Sequence, residues 1–375
     1  MSSLLSQGAY GCVFHPGINC QGESYASKKY VTKLQRKGYS SHNEASVSKK
    51  IRDIGDYQLF FVPIQTTCPI KLSSIGKKQL EECRVAQDTE SDYVMMRMGY
   101  IESVPFFAYI TNESDKKQFL FSNMVSSFMH LLNGILKLTQ INVIQFDLKS
   151  TNILYNVQNN LPLIIDFGIS LDMSKFKPSE IKNYFYTYVP SYYVWPFDVH
   201  ILCLVANKYI GTTSNITEAD IVALSEGYVG FNKALEVFSE EFREKFKQKC
   251  IKYGMEFVGK SNDYIITRLT KEEIYKTWDN YSLSILYLRF VSYLFARGFS
   301  KSKFLVEFTQ VLLTNINPNP EERNTILETI TSINKFFNST ISADELASLL
   351  ATMDIEPIEV EKSITQDKLE RIEHS

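Results

Sequence analysis

Several classes of protein are excluded by what this chain lacks. No stretch is apolar enough for long enough to cross a membrane; even the run from Asp279 to Phe295 is interrupted by Arg289 and fits a buried core helix. No excess of one charge marks a polyanion binder, because 40 Lys and Arg stand against 42 Asp and Glu, a net charge of −2. No basic stripe with interleaved aromatics appears either, so a nucleic-acid partner is not expected. The six cysteines, at 12, 20, 68, 83, 203 and 250, show neither C-x-x-C spacing nor nearby histidines. That absence argues against a zinc site and for a reducing compartment. Met1-Ser2-Ser3-Leu4-Leu5 has no basic segment ahead of an apolar core, so no signal peptide is expected, and the first structural element is expected almost at residue 1. A composition 44% hydrophobic and 22% charged excludes a disordered chain, and 375 residues suffice for more than one compact lobe.

What the chain does have is Asp147-Leu148-Lys149-Ser150-Thr151-Asn152 followed by Asp166-Phe167-Gly168. At roughly 5% usage per residue type, matching the six fixed identities by chance at one starting position has odds on the order of 10⁻⁸. Between the clusters, Ile153-Leu154-Tyr155 and Leu163-Ile164-Ile165 are short apolar strand candidates around the turn signal Asn159-Asn160-Leu161-Pro162. A hairpin there returns Asp166 to the side of Asn152. Phosphoryl transfer requires mainly positioning and charge neutralisation: a carboxylate to orient the attacking hydroxyl, and oxygen ligands for a hard cation. Asp147 suits the first task, Asn152 and Asp166 the second, and Lys149 is close enough in sequence to reach the transferring phosphate.

With these residues the sequence resembles the eukaryotic-type serine/threonine protein kinases, and the family's other marks follow in order. Ser6-Gln7-Gly8-Ala9-Tyr10-Gly11-Cys12-Val13 resembles the glycine-rich phosphate loop, with Ser6 where a glycine usually stands. Val31-Thr32-Lys33 resembles the strand bearing the ATP-binding lysine, and Glu44 its partner acid, with Asp53 and Asp56 as poorer substitutes. Tyr93-Val94-Met95-Met96-Arg97-Met98-Gly99 resembles the strand entering the hinge, where Met96 to Met98 would offer backbone hydrogen bonds to adenine. Pro190-Ser191-Tyr192-Tyr193-Val194-Trp195-Pro196-Phe197-Asp198 stands where the activation segment ends, and Arg323 in Asn317-Pro318-Asn319-Pro320-Glu321-Glu322-Arg323 would pair with an acid near Asp198.

The resemblance implies an α+β, bilobal protein-kinase-like fold: a small, mainly β N-lobe over residues 1–98 and a larger, mainly α C-lobe over 99–335. The buried helix leading into the catalytic loop is expected over Leu120 to Leu138. The central buried helix is placed at Asp279, leaving 199–278 as an insertion large enough for a small subdomain; the alternative starts that helix at Asp198. Residues 336–375 read as a charged tail. The implied catalytic residues are Asp147 and Lys149. Nucleotide contacts fall to Ser6, Gly8, Gly11, Val13, Val31, Lys33, Glu44, Met96, Met98 and Leu154, and the Mg²⁺ ligands to Asn152 and Asp166. Cofactors would be ATP and Mg²⁺, and the partner a protein with a Ser or Thr acceptor; Lys149 favours these over tyrosine. A pseudokinase scaffold and a small-molecule phosphotransferase remain the rival readings.

Two strings, Gly8-Ala9-Tyr10-Gly11-Cys12-Val13-Phe14-His15-Pro16 and Trp195-Pro196-Phe197-Asp198-Val199-His200, resemble the divergent kinases of large cytoplasmic DNA viruses, implying host cytoplasm or virion. One departure stands out. Gln145-Phe146 occupies the place of the family's His-Arg, and phenylalanine cannot clamp a phosphorylated loop as arginine does.

Overall fold

The computed structural model describes residues 2–8, 11–111, 118–212, 214–296 and 303–340. The charged tail expected over 336–375 therefore lies outside the described residues from 341 onward. Contacts divide the chain into two compact units, Met1–Tyr109 with Asn133–Ser174, and Ile110–Leu132 with the chain from Lys175 onward. The fold is mixed α+β, with an antiparallel sheet near the N-terminus and a larger helical part after it.

The first unit is built on β1 (Ser3–Gln7), β2 (Gly11–His15), β3 (Tyr30–Arg36), β4 (Thr66–Ile70) and β5 (Tyr93–Gly99), arranged β1-β2-β3-β5-β4 with antiparallel neighbours. Val31 to Gln35 of β3 are all buried, as a central strand requires, whereas β1 is mostly exposed and its pairing shifts between Leu4 and Ser6. A bulge on an edge strand blunts its capacity to pair with another chain. One sheet face packs Cys12, Phe14, Leu34, Tyr93 and Met95 into a core with Ile18, Ile70 and Ile75. Helix α1 (Tyr39–Arg52) follows β3 after only Lys37 and Gly38, which accounts for the short Lys33 to Glu44 interval. Its start is fixed by Ser41, whose hydroxyl bonds both the Gly38 N–H and its carbonyl at 2.9 Å. Glu44, Val47, Ser48 and Ile51 form its buried stripe at helical spacing.

Short helices α2 (Lys77–Leu80) and α3 (Phe106–Thr111) precede α4 (Gln118–Gln140), the helix expected ahead of the catalytic loop. β6 (Ser103–Pro105), which precedes α3, joins β8 (Ile153–Asn156) and β9 (Leu161–Ile164) in a three-stranded sheet, and β7 (Val143–Ile144) pairs with β10 (Leu171–Asp172). The β8–β9 hairpin is the one the turn signal predicts, and Asn160 takes the left-handed backbone (φ 54°) that asparagine tolerates.

Disulfides Cys12–Cys83 and Cys20–Cys68 close loops of 71 and 48 residues in this unit. These bridges remove the support that cysteine spacing lent to a reducing compartment. That support rested on sequence spacing, whereas folding lays the loops carrying Cys20 and Cys83 against the strands carrying Cys68 and Cys12, with Cα atoms 6.0 and 5.8 Å apart, within bridging range. Cys203 and Cys250 remain free and buried.

The second unit is helical: α5 (Ile181–Tyr184), α6 (Phe197–Leu204), α7 (Glu218–Gly230), α8 (Glu240–Gly254), α9 (Asn262–Leu269), α10 (Glu272–Tyr275), α11 (Trp278–Ala296), α12 (Lys303–Asn315) and α13 (Ile326–Thr340). Capping chemistry starts three of them, through Thr217 and Asp220 at α7, Ser239 at α8 and Ser261 at α9. Fifteen of the nineteen residues of α11 are buried, which makes it a core helix as expected. All eight residues of α6 are buried as well, so the apolar run after Asp198 is also core. Residues 199–278, expected as an insertion able to form its own subdomain, do not separate from this unit. The reason is packing: Ile221, Leu224, Tyr228, Leu235, Cys250, Ile265 and Trp278 are buried, and the Tyr228 hydroxyl bonds that of Tyr281 on α11. Arg323 bonds Asp198 at 2.5 Å with neither side chain exposed, the pairing expected from the sequence. No helix among the described residues is long and apolar enough to cross a membrane.

Candidate phosphoryl-transfer site

Strand register gathers the first group of residues. Directly opposed residues of an antiparallel pair share a face, and β2–β3 and β3–β5 pairing sets Val13, Lys33 and Met96 in one row and Val31 beside Met98 in the next. Ser6 opposes Val13 on β1. Six of the ten expected nucleotide-contacting residues thus line a single face, opposite the one that packs Cys12, Phe14 and Leu34. Gly8 and Gly11 close the β1–β2 turn through a 2.9 Å Gly8 N–H to Gly11 carbonyl bond, while Ala9 and Tyr10 lie outside the described residues. At Gly11 a Cβ would stand 2.7 Å from the Leu34 carbonyl oxygen, so close approach of β2 to β3 already demands glycine.

The hinge expectation needs correction. The Arg97 carbonyl accepts from the Gln65 N–H and the Tyr100 N–H donates to Lys29, so alternation turns the backbone groups of Met96 and Met98 toward β3. Their side chains line the sheet face, but their peptide groups belong to the ladder. Gly99 is the residue at this edge whose backbone faces away from β3, with only Gln65 Nε2 within 4 Å of a Cβ placed there. Leu154, half-buried, lies on the separate β6-β8-β9 sheet opposite Leu163 and Pro105.

Lys33 is the centre of the site. Its Nζ is 2.9 Å from Glu44 Oε2 and 3.1 Å from Asp166 Oδ1, and the lysine and Glu44 side chains are only 9% and 2% exposed. Burial works to lower the lysine pKa, but the two carboxylates outweigh it and hold the ammonium above its usual range. Burial pushes the Glu44 carboxyl up, Lys33 opposes this, and the neighbouring Asp166 charge adds to it. For Asp166, burial is again opposed, and Lys33 together with the Gly168 N–H prevails, leaving its carboxyl below the usual value. Asp166 is the open member, its side chain 42% exposed.

The second group sits on the loop between β7 and β8. Asn152 Nδ2 donates to the Asp147 backbone carbonyl at 2.9 Å and to its Oδ2 at 2.8 Å, so its amide oxygen turns the other way. Lys149 Nζ stands 3.1 Å from the same Asp147 oxygen. The Ile165 N–H donates to the Asn152 carbonyl at 2.9 Å, tying the two motifs together, and the Lys149 charge reaches Asp166. Phe167 is buried with its ring edge-on to Phe61 at 6.1 Å, which anchors the turn and leaves Asp166 facing Lys33. At Gly168 a Cβ would crowd the side chains of the site, standing 3.0 Å from Ser40 Oγ and 3.3 Å from Asp166 Oδ1, so these groups would have to shift slightly to admit one.

Sequence reasoning passed over the groups that fasten this arrangement. On α1, Ser40 Oγ donates to the Gly168 carbonyl at 3.2 Å, Asn43 Nδ2 to the Ser170 carbonyl at 2.7 Å, and Lys50 Nζ to Asp172 Oδ1 at 2.7 Å. Their spacing of three and seven, on the side of the helix that carries Glu44, was the available signal. Gln145, fully buried, bonds both acid-bearing segments. Asp166 and Phe146 hold left-handed backbone, φ 58° and 67°, a rarity for non-glycine residues that clusters at functional sites.

Hard oxygen donors at Asp166 and Asn152 fit Mg²⁺, which takes one or two protein oxygens and completes its shell with phosphates and water. Among the described residues no group of three His, Cys, Asp or Glu is placed to hold a metal by protein ligands alone. No protein-family model and no curated protein matches the chain, so a reading of this site rests on its geometry and on the motif resemblance.

Proposed function

We propose that the chain is an ATP- and Mg²⁺-dependent protein kinase that transfers phosphate to serine and threonine hydroxyls of proteins. The observation that carries this reading is Lys33 held by both Glu44 and Asp166, with Asp147 and Asn152 bonded to each other on the adjoining loop. A lysine so held presents a fixed positive charge at a site with an exposed carboxylate beside it, which suits a triphosphate bound together with a cation. Asp166 and Asn152 would hold Mg²⁺, which neutralises charge on the phosphates when bound. Asp147 orients the acceptor hydroxyl and takes its proton. Lys149, bonded to Asp147, lies where it can neutralise charge on the phosphate in transfer. Val13, Val31, Met96 and Met98 offer the apolar face on which a base can lie.

We infer a host cytoplasm or a virion as the location from the resemblance to viral kinases, an assignment to which the cysteines no longer contribute. The test is ATP turnover by the purified chain against a panel of proteins, followed by identification of the modified residues. Lys33→Met, Asp147→Asn and Asp166→Asn should each lower transfer by a few orders of magnitude while far-UV spectra and melting stay close to the parent. Near-parental turnover in the two aspartate variants would refute the reading, and a small molecule as the sole acceptor would replace the protein substrate.

A further inference from the structure

We propose that the Cys12–Cys83 disulfide is a redox-sensitive brace of the β1–β2 turn, so that a dithiol reductant which opens it weakens ATP binding without unfolding the sheet. The effect on ATP rests on the kinase reading given above; the brace does not.

The base of the turn is held by one short loop. Gln7 and Cys12 are directly opposed on β1 and β2, the last pair before Gly8 and Gly11. Cys12 is bridged to Cys83, and the Gln7 Oε1 accepts the N–H of the next loop residue, Arg84, at 3.2 Å. The loop is anchored in turn on β5, where the Tyr93 hydroxyl meets the carbonyls of Val85 at 2.5 Å and Asp88 at 2.6 Å. A chain of covalent and hydrogen bonds thus runs from β5 to both strands of the turn.

What this chain holds is the part of β2 that faces the nucleotide. Cys12 is fully buried in the core, whereas its neighbour Val13 opposes Lys33, and a Cβ at Gly11 would stand 3.2 Å from Lys33 Cγ. β2 is flanked by β3 and by β1, a mostly exposed edge strand. With the bridge open, the ladder to β3 and the Gln7 bond remain, and the turn gains freedom that ATP must then remove. That ordering cost is what a pre-organised loop spares its ligand. The other disulfide, Cys20–Cys68, joins the β2–β3 connection to β4 and serves as the control.

Opening is thiol–disulfide exchange. The S–S bond breaks, Cys12 and Cys83 each gain a hydrogen, and the dithiol closes to its own disulfide, passing on two electrons and two protons. Both sulfurs are buried, so attack follows local opening of the loop, where Glu82 and Arg84 on either side of Cys83 are exposed.

The test compares the full chain, oxidised and reduced by dithiothreitol, with two paired variants, using MgATP as the probe. In Cys20→Ala with Cys68→Ala the ATP KM should match the oxidised parent and rise about tenfold on reduction, with kcat changed less than about threefold. Cys12→Ala with Cys83→Ala should show the raised KM from the start and respond less than about twofold to reductant. If the cavities left by the alanines unfold that pair, Cys12→Val with Cys83→Ala replaces it. An ATP KM equal in the oxidised and reduced states, or a rise that follows Cys20–Cys68 instead, overturns the proposal. Amide exchange on the same samples separates a brace from a general staple. On reduction the N–H groups of Gly8, bonded to the Gly11 carbonyl, and of Arg84 should lose protection while the β3 amides keep theirs. Loss at all of them together means that the bridge only holds the fold, and the proposal fails. If the chain binds no ATP, the kinase reading falls, and the Gly8 and Arg84 amides alone decide for or against the brace.

Discussion

Breaking the Asp198–Arg323 pair should destabilise the helical unit more than any other single exchange of a charged side chain there. Asp198 accepts from Arg323 Nη2 at 2.5 Å through Oδ1 and from Trp278 Nε1 at 2.6 Å through Oδ2. Arg323 also donates to the Asn317 carbonyl at 2.7 Å, to Thr277 Oγ1 at 3.2 Å and to the Pro318 carbonyl at 3.2 Å, and its guanidinium lies 5.4 Å from the Tyr281 ring centroid. Both side chains are fully shielded from solvent, so removing one partner strands a buried charge at a cost of about 3 to 5 kcal/mol. For a unit of this size that is roughly 6 to 20 °C in melting temperature, a large part of a typical folding stability of about 5 to 15 kcal/mol. Asp198→Asn and Arg323→Met test it by thermal and urea melts. The double variant Asp198→Leu with Arg323→Met should lose less than the two singles added together, because it leaves no lone charge. Asp263→Ala, at an exposed position on α9, should cost under about 1 kcal/mol. If Asp198→Asn melts like Asp263→Ala, the pair does not organise the unit and the reasoning fails.

Reduction should weaken the sheet unit: closing loops of 71 and 48 residues is worth about 4 kcal/mol each in chain entropy, so dithiothreitol or Cys12→Ser should lower the melting temperature, and a melt unmoved by reductant would count against both disulfides. His200 is buried and its pKa is lowered by burial to about 4, against an unfolded value near 6.5. The unfolded chain therefore binds the proton first, so His200 leaves stability intact above about pH 6.5 and removes up to about 3 kcal/mol as pH falls toward 4. Urea midpoints across that range should show the slope, and His200→Gln, which retains a donor for the Tyr192 carbonyl, should flatten it; equal slopes would refute the assignment. Because Phe146 offers no cation to a phosphate, phosphatase treatment should leave most of the transfer activity, and its loss on dephosphorylating the segment from Ser170 to Thr187 would overturn that.

The parts of this molecule that were legible in the sequence are those whose chemistry fixes both residue type and short spacing. Asp147, Asn152 and Asp166 come from one loop and the hairpin after it, so the turn at Asn160 suffices to bring them together. Lys33 and Glu44 are eleven residues apart across a two-residue connection, close enough for order along the chain to find them. Asp198 and Arg323 are 125 residues apart, and only the motif resemblance paired them. The disulfides had no such guide, because Cys12 on β2 and Cys83 in the loop after α2 meet only where that loop packs into the core under the sheet, a long-range property that leaves no local mark.

The backbone of Met96 and Met98, expected to be open to a ligand, is instead paired with β3, and this was hidden for the opposite reason. Met96 and Met98 were picked out by side-chain type, whereas hydrogen-bonding direction along β5 depends on parity alone, and parity puts Gly99 rather than either methionine away from β3. Gln145 was noticed only for what it replaces. Its bonds run to backbone atoms, which every residue carries, so no pattern of side chains could have announced them. Charged and nucleophilic groups are therefore written in the sequence, while the neutral amides and peptide planes that aim them become visible only once the chain is folded.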